Sequence, residues 1–340
     1  MATGTCPACS AQVAAADVFC EACGHELTQP APASPTSPAS DGRWVSSAAG
    51  PEPCVGCGGT DFGPEGYCDH CGQRRVVSKD HTELELGNLA AVTDKGYRHH
   101  RNEDAVGLGL LPGASVAVVC DGVSSSSRPE TASNGAVEAA MAALVPALDR
   151  RRPTGDAIGT AARAAQAAAT LAAGPEPGPN PPASTFVCAV VEPKAVTVGW
   201  VGDSRAYWLP DSDGDASCLT VDDSLAGQFA ARSMPLPADL PQGQAVALAR
   251  WLGADATDTA PHLRTFAPAG PGRVLVCSDG LFRYRPEAAV LAASTPSAAP
   301  LATAQALVQL ALDAGGQDNI AVAVLTYPPD AADESEESDE

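Results

Sequence analysis

The stretch Ser115-Val-Ala-Val-Val-Cys-Asp-Gly-Val123 decides the fold that we expect for this chain. Residues 116–120 are small or apolar without interruption, which is typical of a short strand that is buried on both faces. The run ends in an acid and a glycine, Asp121-Gly122. A single pair of this kind indicates no more than a turn, because aspartate and glycine both favour turns. In this chain, however, the pattern recurs.

Three further acids lie beside apolar runs of the same kind. They are Asp203, Asp279 and Asp318, which end or precede runs such as Val198-Gly-Trp-Val201 and Ile320-Ala-Val-Ala-Val-Leu325. Carboxylates at the ends of neighbouring buried strands repel one another unless a cation lies between them. A cluster of oxygen ligands suits Mg²⁺, Mn²⁺ or Ca²⁺. The sequence therefore predicts a cation site at the rims of these strands.

The composition limits the classes of partner. The 340 residues carry a net charge of −21, to which the tail from Asp330 to Glu340 contributes seven acids and no base. Such an acidic chain is unsuited to nucleic acids and anionic membranes. No apolar run reaches 18 residues, and the N-terminus lacks the regions of a signal peptide, so we expect no membrane span and a cytoplasmic location. Scarce lysine and abundant alanine indicate a GC-rich bacterial genome.

Eight of the twelve cysteines form two units, each with two Cys-x2-Cys pairs that are ten residues apart. Residues 1–29 contain Cys6, Cys9, Cys20 and Cys23, and residues 51–76 contain Cys54, Cys57, Cys68 and Cys71. Cytosolic thiols stay reduced, so the spacing predicts two zinc ribbons, each with one structural Zn²⁺ bound by four thiolates. The units resemble the double zinc ribbons of many bacterial signalling proteins. Because residues 1–79 hold eight acids against four bases, we expect them to contact a protein partner.

The rest of the chain divides by composition and pattern. Residues 30–50 are predicted to be a disordered Pro/Ser/Ala linker, residues 84–327 one large domain, and residues 328–340 an acidic disordered tail. Strands are predicted over 84–94, 184–192, 195–202, 205–209, 262–267, 273–278 and 319–326, and helices over 131–149, 156–173, 224–231, 244–252, 286–293 and 300–314. Strands combined with two helical layers favour two packed sheets with helices outside.

Seven short motifs follow one another in the large domain. They are Thr93-Asp-x-Gly96 leading to Arg101-Asn-Glu-Asp104, Cys120-Asp-Gly122, Gly202-Asp-Ser-Arg205, Leu219-Thr-x-Asp-Asp-Ser224, Arg250-Trp-Leu-Gly253, Cys277-Ser-Asp-Gly280 and Gln317-Asp-Asn319. In content and order they resemble the motifs of the metal-dependent Ser/Thr protein phosphatases, the PPM or type 2C family. The resemblance implies an α+β fold, an αββα sandwich, with a binuclear Mg²⁺/Mn²⁺ centre between its sheets.

The resemblance also implies which residues bind the metals. Asp121 would bridge the two ions. Asp279 and Asp318 would complete one of them, while the Gly122 carbonyl and Glu103 would serve the other, partly through waters.

Two further acids have implied roles beside the metal pair. Asp104 would orient a metal-bound water, and Asp203 would help to hold a third, weaker metal. A hydroxide that bridges two cations can attack phosphorus in line, and the cations offset charge on the phosphoryl oxygens.

Three features of the sequence depart from the family pattern. The phosphate-binding arginine of the first motif is His99 here, so that phosphate is expected to bind His99 itself, Arg98 or Arg101. The position after Asp-Gly, a histidine in many eukaryotic members, is Val123, and the usual Gly-Gly is Ser124-Ser125. The serines form either a flexible rim or a phosphorylation target, and we favour the rim.

Together these features favour a Ser/Thr phosphoprotein phosphatase, a hydrolase in signalling whose substrates are phosphoproteins made by a Ser/Thr kinase. The zinc ribbons would be its adaptor for a protein partner. One alternative is a catalytically weak, phosphatase-like regulatory or binding module, motivated by the missing arginine and Gly-Gly. Another is a zinc-ribbon scaffold in which the large domain is secondary.

Overall fold

A computed structural model describes residues 42–48, 57, 70–72, 80–211, 214–237 and 239–329, together with two short strands near the N-terminus. The chain divides into two compact units, residues 1–40 and residues 41–340. In the first unit, β1 (Thr3–Thr5) pairs with β2 (Gln12–Ala14) in antiparallel fashion. Six of the eight cysteines assigned to zinc lie outside the described residues, so the ribbons stay a prediction.

The second unit contains fourteen further strands and seven helices within its described residues. The strands are β3 (Arg43–Ser46), β4 (His81–Leu86), β5 (Leu89–Asp94), β6 (Asp104–Leu111), β7 (Ala114–Asp121), β8 (Ala183–Ser184), β9 (Phe186–Glu192), β10 (Ala195–Val201), β11 (Arg205–Pro210), β12 (Ser217–Cys218), β13 (Leu252–Gly253), β14 (His262–Phe266), β15 (Gly272–Cys277) and β16 (Ile320–Tyr327). The helices are α1 (Pro129–Asp149), α2 (Thr154–Ala172), α3 (Leu225–Ala231), α4 (Gln242–Ala245), α5 (Asp279–Phe282), α6 (Ala288–Ser294) and α7 (Pro300–Asp313).

Two six-stranded sheets carry the fold. The first has the order β14-β10-β9-β7-β6-β3, and the second has the order β12-β11-β15-β16-β5-β4. All pairings within the two sheets are antiparallel. One apolar cluster lies between the sheets, a second lies between the first sheet and helices α1 and α2, and a third lies between the second sheet and helices α5, α6 and α7. The predicted sandwich of helix, sheet, sheet and helix layers is therefore what the second unit forms.

The apolar runs of the central strands are unbroken because each sheet is packed against helices on one face and against the other sheet on the opposite face. In β7, Val116 and Val118 belong to the cluster under the helices, whereas Ala117 and Val119 belong to the cluster between the sheets. Antiparallel strands usually alternate between apolar and polar residues because one face meets water. Here neither face does, so both sets of side chains are apolar.

The predicted linker over residues 30–50 extends too far. Arg43–Ser46 forms the edge strand β3, paired with β6. Trp44 packs against the apolar cluster under the helices, and Ser46 is buried. The stretch Arg-Trp-Val-Ser has strand-forming residues that the surrounding Pro, Ser and Ala obscured.

Two element predictions in the large domain are also corrected. The strand expected over 84–94 is two strands, β4 and β5, separated by a turn at Gly87, whose φ of 65° favours glycine. The helix expected over 244–252 is wrong, because α4 ends at Ala245. Leu248 instead forms a β-bridge with Ser224, and the amide of Ala249 donates to the Asp223 carbonyl, which keeps this segment extended.

A membrane crossing requires a long apolar helix, and none of the helices in the described part of the chain meets that requirement.

Candidate active site

Two carboxylates face each other at one end of the first sheet. β6 begins at Asp104 and β7 ends at Asp121, and the antiparallel register makes these residues cross-strand partners. A two-residue connection, Pro112-Gly113, fixes that register. Asp104 is 4% exposed, whereas Asp121 borders a cavity. Two of the residues expected in the site, Asp104 and Asp121, are therefore adjacent.

Ser278 fastens Asp104 to the second sheet. It directly precedes α5, is fully buried, and donates from Oγ to Asp104 Oδ2 at 2.6 Å. The same hydroxyl accepts a hydrogen bond from the amide of Ala321 at 2.9 Å. The other carboxylate oxygen, Asp104 Oδ1, is buried and has no hydrogen-bond partner among the described residues.

Asn319 holds the loop that leads into β6. Its side-chain amide donates to the carbonyls of Lys95 and Arg101, at 2.7 and 3.0 Å, and its Oδ1 accepts from the amide of Glu103 at 2.8 Å. The side chain of Glu103, 13% exposed, accepts from Ser124 Oγ at 2.9 Å. The serine that replaces a glycine of the family pattern thus contacts an expected metal ligand.

Asp279 and Asp318 come together on the second sheet, where α5 meets the start of β16. Gly280 allows this approach, because a Cβ at that position would collide with the carbonyl oxygen of Asn319. Two cationic side chains share these carboxylates. Arg283 Nη2 lies 2.5 Å from Asp279 Oδ2 and 3.0 Å from Asp318 Oδ2. His99 Nε2 lies 3.0 Å from the other oxygen of Asp318.

Asp203 is placed by a loop between β10 and β11. Gly202, with φ of 106°, donates its amide to Asp223 Oδ2 at 2.9 Å. Thr185 links this loop to β7, because its hydroxyl accepts from the amide of Asp121 at 3.0 Å and lies 2.7 Å from the hydroxyl of Ser204.

The acids border one cavity of about 700 Å³. Asp121, Asp203, Asp279 and Asp318 all line it, together with Ser124 and Arg283. Among the described lining residues Arg283 is the only arginine or lysine. Four of the predicted acids therefore face a common space, while Asp104 lines a small cavity of about 10 Å³ elsewhere.

Burial and mutual repulsion raise the pKa values of several of the clustered aspartates. Burial raises the pKa of Asp104 and Asp121 well above the usual value, and the charges of neighbouring acids add to the shift. Burial, followed by the charge of Asp318, also raises the pKa of Asp279, against the opposing effect of Arg283. For Asp203, burial and then the charges of Asp279 and Asp222 raise the pKa to about 7. Such clustered shifts are typical of functional sites.

The donor chemistry fits divalent cations. The cavity brings together oxygen ligands whose charges oppose one another, and Asp104 Oδ1 lacks a partner. Within the described part of the chain, no three His, Cys, Asp or Glu side chains already form a metal cage. Asp279 and Asp318 are instead paired with Arg283 and His99. The residues suit hard divalent cations as a class, and the assignment of each ligand is a proposal.

The three residues expected to bind phosphate occupy different environments. His99 contacts Asp318, and its Nδ1 lies 3.9 Å from Glu103. Arg101 is turned to Glu130, with a contact of 2.6 Å, and Arg98 is exposed. Arg283 was missed by the sequence analysis, because its proximity to the acids depends on the packing of α5 against β16.

A protein-family model matches most of the large domain. A family model described as protein phosphatase 2C matches residues 95–313, which is more than half of the chain. The matched range includes Asp104, Asp121, Asp203 and Asp279 and ends just before Asp318.

Among curated proteins, the serine/threonine protein phosphatase PstP of Mycobacterium tuberculosis is 29% identical over 242 residues, covering 69% of this chain and 44% of PstP. The chain thus spans less than half the length of the curated relatives that it matches.

Two solved structures are similar in fold. The PPM Ser-Thr phosphatase MsPP from Mycobacterium smegmatis, in complex with cacodylate, has a TM-score of 0.56 at 27% identity, covering 71% of this chain and 98% of MsPP. The catalytic domain of PstP, in complex with two manganese ions, has a TM-score of 0.53 at 24% identity, covering 69% of this chain and 96% of that domain.

Proposed function

Because the chain belongs to the protein phosphatase 2C family, we propose that it is a metal-dependent phosphatase of phosphoserine and phosphothreonine in proteins. The observation that carries the proposal is the convergence of Asp121, Asp203, Asp279 and Asp318 on one cavity. A phosphate dianion would be repelled from these acids unless cations intervened. Mn²⁺ or Mg²⁺ is the natural choice for such oxygen ligands.

Each acid receives a separate role in this proposal. Asp121, with Asp279 and Asp318, would hold one cation, and Asp121, with the Gly122 carbonyl and Glu103, would hold the other. When bound, the cations would neutralise charge on the phosphoryl oxygens and acidify water for in-line attack.

Two further acids complete the proposed site. Asp104 would accept a proton or hydrogen bond from the attacking water, and Ser278 fixes its carboxylate for that purpose. Asp203, on its separate loop, would serve a third and weaker cation.

The N-terminal cysteines would supply a second, structural kind of metal site. We propose that the two units bind one Zn²⁺ each through Cys6, Cys9, Cys20 and Cys23 and through Cys54, Cys57, Cys68 and Cys71. The acidic character of residues 1–79 supports a protein-binding adaptor over a nucleic-acid module. Its partners, and phosphoprotein substrates made by a Ser/Thr kinase, belong to the same proposal.

One observation favours the alternative of a catalytically weak regulatory module. His99 replaces the phosphate-binding arginine of the first motif, and its ring already contacts the carboxylate of Asp318. If no other residue binds phosphate, the domain could recognise a partner without appreciable turnover.

Hydrolysis of a phosphothreonine peptide decides between the two functions. The full chain should release phosphate in the presence of Mn²⁺ and not in the presence of EDTA. Asp279→Asn should reduce kcat by about 100-fold or more, because about 2.7 kcal/mol of barrier is a small part of what a catalytic cation supplies. Asp313→Asn is the matched control, since Asp313 is an exposed residue at the end of α7. Wild-type chain without Mn²⁺-dependent hydrolysis would support the regulatory module instead.

A further inference from the structure

The site needs a cationic donor for the phosphoryl oxygens, and the expected positions do not supply one to the cavity. Arg101 is paired with Glu130 at 2.6 Å, and Arg98 is exposed. His99 is engaged with Asp318 at 3.0 Å. In the described part of the chain, none of these three lines the cavity that the acids share.

Arg283 does line that cavity. It is the residue directly after α5 and lies four positions beyond Asp279. Residues at this spacing lie on the same face of a helical turn, so the Arg283 side chain can reach the Asp279 carboxylate. Its side chain is 45% exposed, and its guanidinium bridges Asp279 and Asp318. A partly exposed arginine that lines the acidic cavity offers an incoming anion a positive charge there.

The backbone under Arg283 is firmly placed. The Arg283 amide donates to the Asp279 carbonyl at 2.9 Å. The preceding residue, Phe282, is 7% exposed and lies under the guanidinium of Arg205, 3.9 Å from its ring centre. Arg283 therefore presents its long, partly exposed side chain from a firmly placed backbone.

The guanidinium has donors, Nη1 and Nε, that no described residue engages. Its ion pairs with both carboxylates involve Nη2. Arginine has five N–H groups in a planar fork, and both of its two-donor edges, Nη1/Nη2 and Nε/Nη2, include Nη2. A bidentate edge therefore opens to two phosphate oxygens when the carboxylates release Nη2. A lysine or histidine could not offer this bidentate arrangement.

We infer that Arg283 binds the phosphoryl group of the substrate and replaces the arginine that the family carries in its first motif. The inference rests on the proposed phosphatase function. In the free protein, Asp279 and Asp318 hold the guanidinium towards the cavity. When these carboxylates serve cations, the guanidinium turns from them to the phosphate oxygens.

Binding of inorganic phosphate to the full chain tests this role without turnover. Calorimetry in the presence of Mn²⁺ should give a Kd for phosphate that is about 10- to 100-fold higher in Arg283→Gln than in wild type, the effect of losing a charge-assisted bidentate contact. Arg283→Lys, which keeps the charge but not the fork, should give an intermediate Kd. Arg285→Gln is the matched control, because Arg285 donates to the Tyr284 carbonyl and does not line the cavity.

Kinetics on a phosphothreonine peptide give a second measurement. KM should rise in Arg283→Gln by a factor similar to the change in phosphate Kd, and kcat should change less. His99→Ala should shift the phosphate Kd less than Arg283→Gln does.

Two results would overturn the inference. The first is a phosphate Kd in Arg283→Gln within about twofold of wild type, while Mn²⁺ binds more tightly, since the guanidinium would then be only a counter-charge for Asp279 and Asp318. The second is a larger loss in His99→Ala than in Arg283→Gln. Failure of the proposed function would look different, because wild-type chain would bind phosphate and Mn²⁺ yet release none from the peptide.

Discussion

Replacing Ser278 by alanine should remove the contact that fixes Asp104 to the second sheet. The hydroxyl donates to Asp104 Oδ2 at 2.6 Å and accepts from the amide of Ala321 at 2.9 Å, and the residue is fully buried. Ser278→Ala thus leaves a carboxylate oxygen and an amide N–H unpaired in the interior. Water cannot replace the hydroxyl without room at this site.

The expected cost follows from the two lost bonds. A hydrogen bond to a charged group contributes about 1.5–3 kcal/mol, and an unpaired buried amide costs about 1–3 kcal/mol. Burial raises the pKa of Asp104, which disfavours the charged carboxylate, so we take the lower end of the first range. Ser278→Ala should therefore reduce the free energy of unfolding by about 2.5–4.5 kcal/mol.

Ser115→Ala provides the matched control. Ser115 is equally buried, but its hydroxyl donates to a neutral acceptor, Asn88 Oδ1, at the longer distance of 3.3 Å. The same substitution there should cost about 0.5–1 kcal/mol. The difference between the two variants isolates the contribution of the carboxylate and the amide.

Urea denaturation of the metal-free full chain measures the stability loss of both variants. The shift of the urea midpoint is converted to a free energy with the same denaturant slope m for each protein. Mn²⁺-dependent kcat measures the positioning role, because Asp104 without its anchor should orient water poorly. A Ser278→Ala variant no less stable than Ser115→Ala would refute the energetic argument. A variant that loses the expected stability but keeps the wild-type kcat would refute the positioning role.

Three further outcomes are expected. Asp121→Asn should lower Mn²⁺ affinity in calorimetry and abolish hydrolysis, and wild-type Mn²⁺ affinity would contradict its bridging role. Burial raises the folded pKa of Asp203 to about 7, so the folded protein binds more protons than the unfolded chain between about pH 4 and 7 and loses stability as pH rises through that range. Asp203→Asn should therefore be more stable than wild type at pH 8 in EDTA, by up to about 4 kcal/mol, with the gap closing towards pH 5; an equal gap at both pH values would contradict the shift. Elemental analysis of the full chain should find two zinc ions that persist after Mn²⁺ is exchanged away, and their absence would remove the proposed ribbons.

Much of the phosphatase domain could be predicted because the sequence signals are local. The run around Asp121 lies on a central strand, and the alanine-rich segments predicted as helices are α1 and α2, to within two residues at each end. Motif order then gave the family, which the match to residues 95–313 confirms. The acids follow from the same logic, since each ends or adjoins a buried strand.

What could not be predicted depends on contacts between distant residues. Ser278 and Asp104 are 174 positions apart, so nothing local marks their hydrogen bond. Arg283 looks like an ordinary surface arginine until α5 packs against β16. The helix expected over 244–252 does not form for the same reason. Arg250 forms an ion pair with Asp223, and Leu248 forms a β-bridge with Ser224, so this segment is extended.

Residues 43–47, which lie between the two cysteine units in the sequence, are part of the sandwich that carries the acids. β3 pairs with β6, the strand that begins at Asp104. Ser47, directly after β3, exchanges two hydrogen bonds with the backbone of Val106, at 2.8 and 2.9 Å. It also lines the cavity of about 10 Å³ beside Asp104, whose other walls include Thr93 and Asn134. A stretch with the composition of a linker therefore closes the space around a carboxylate that the proposed chemistry needs.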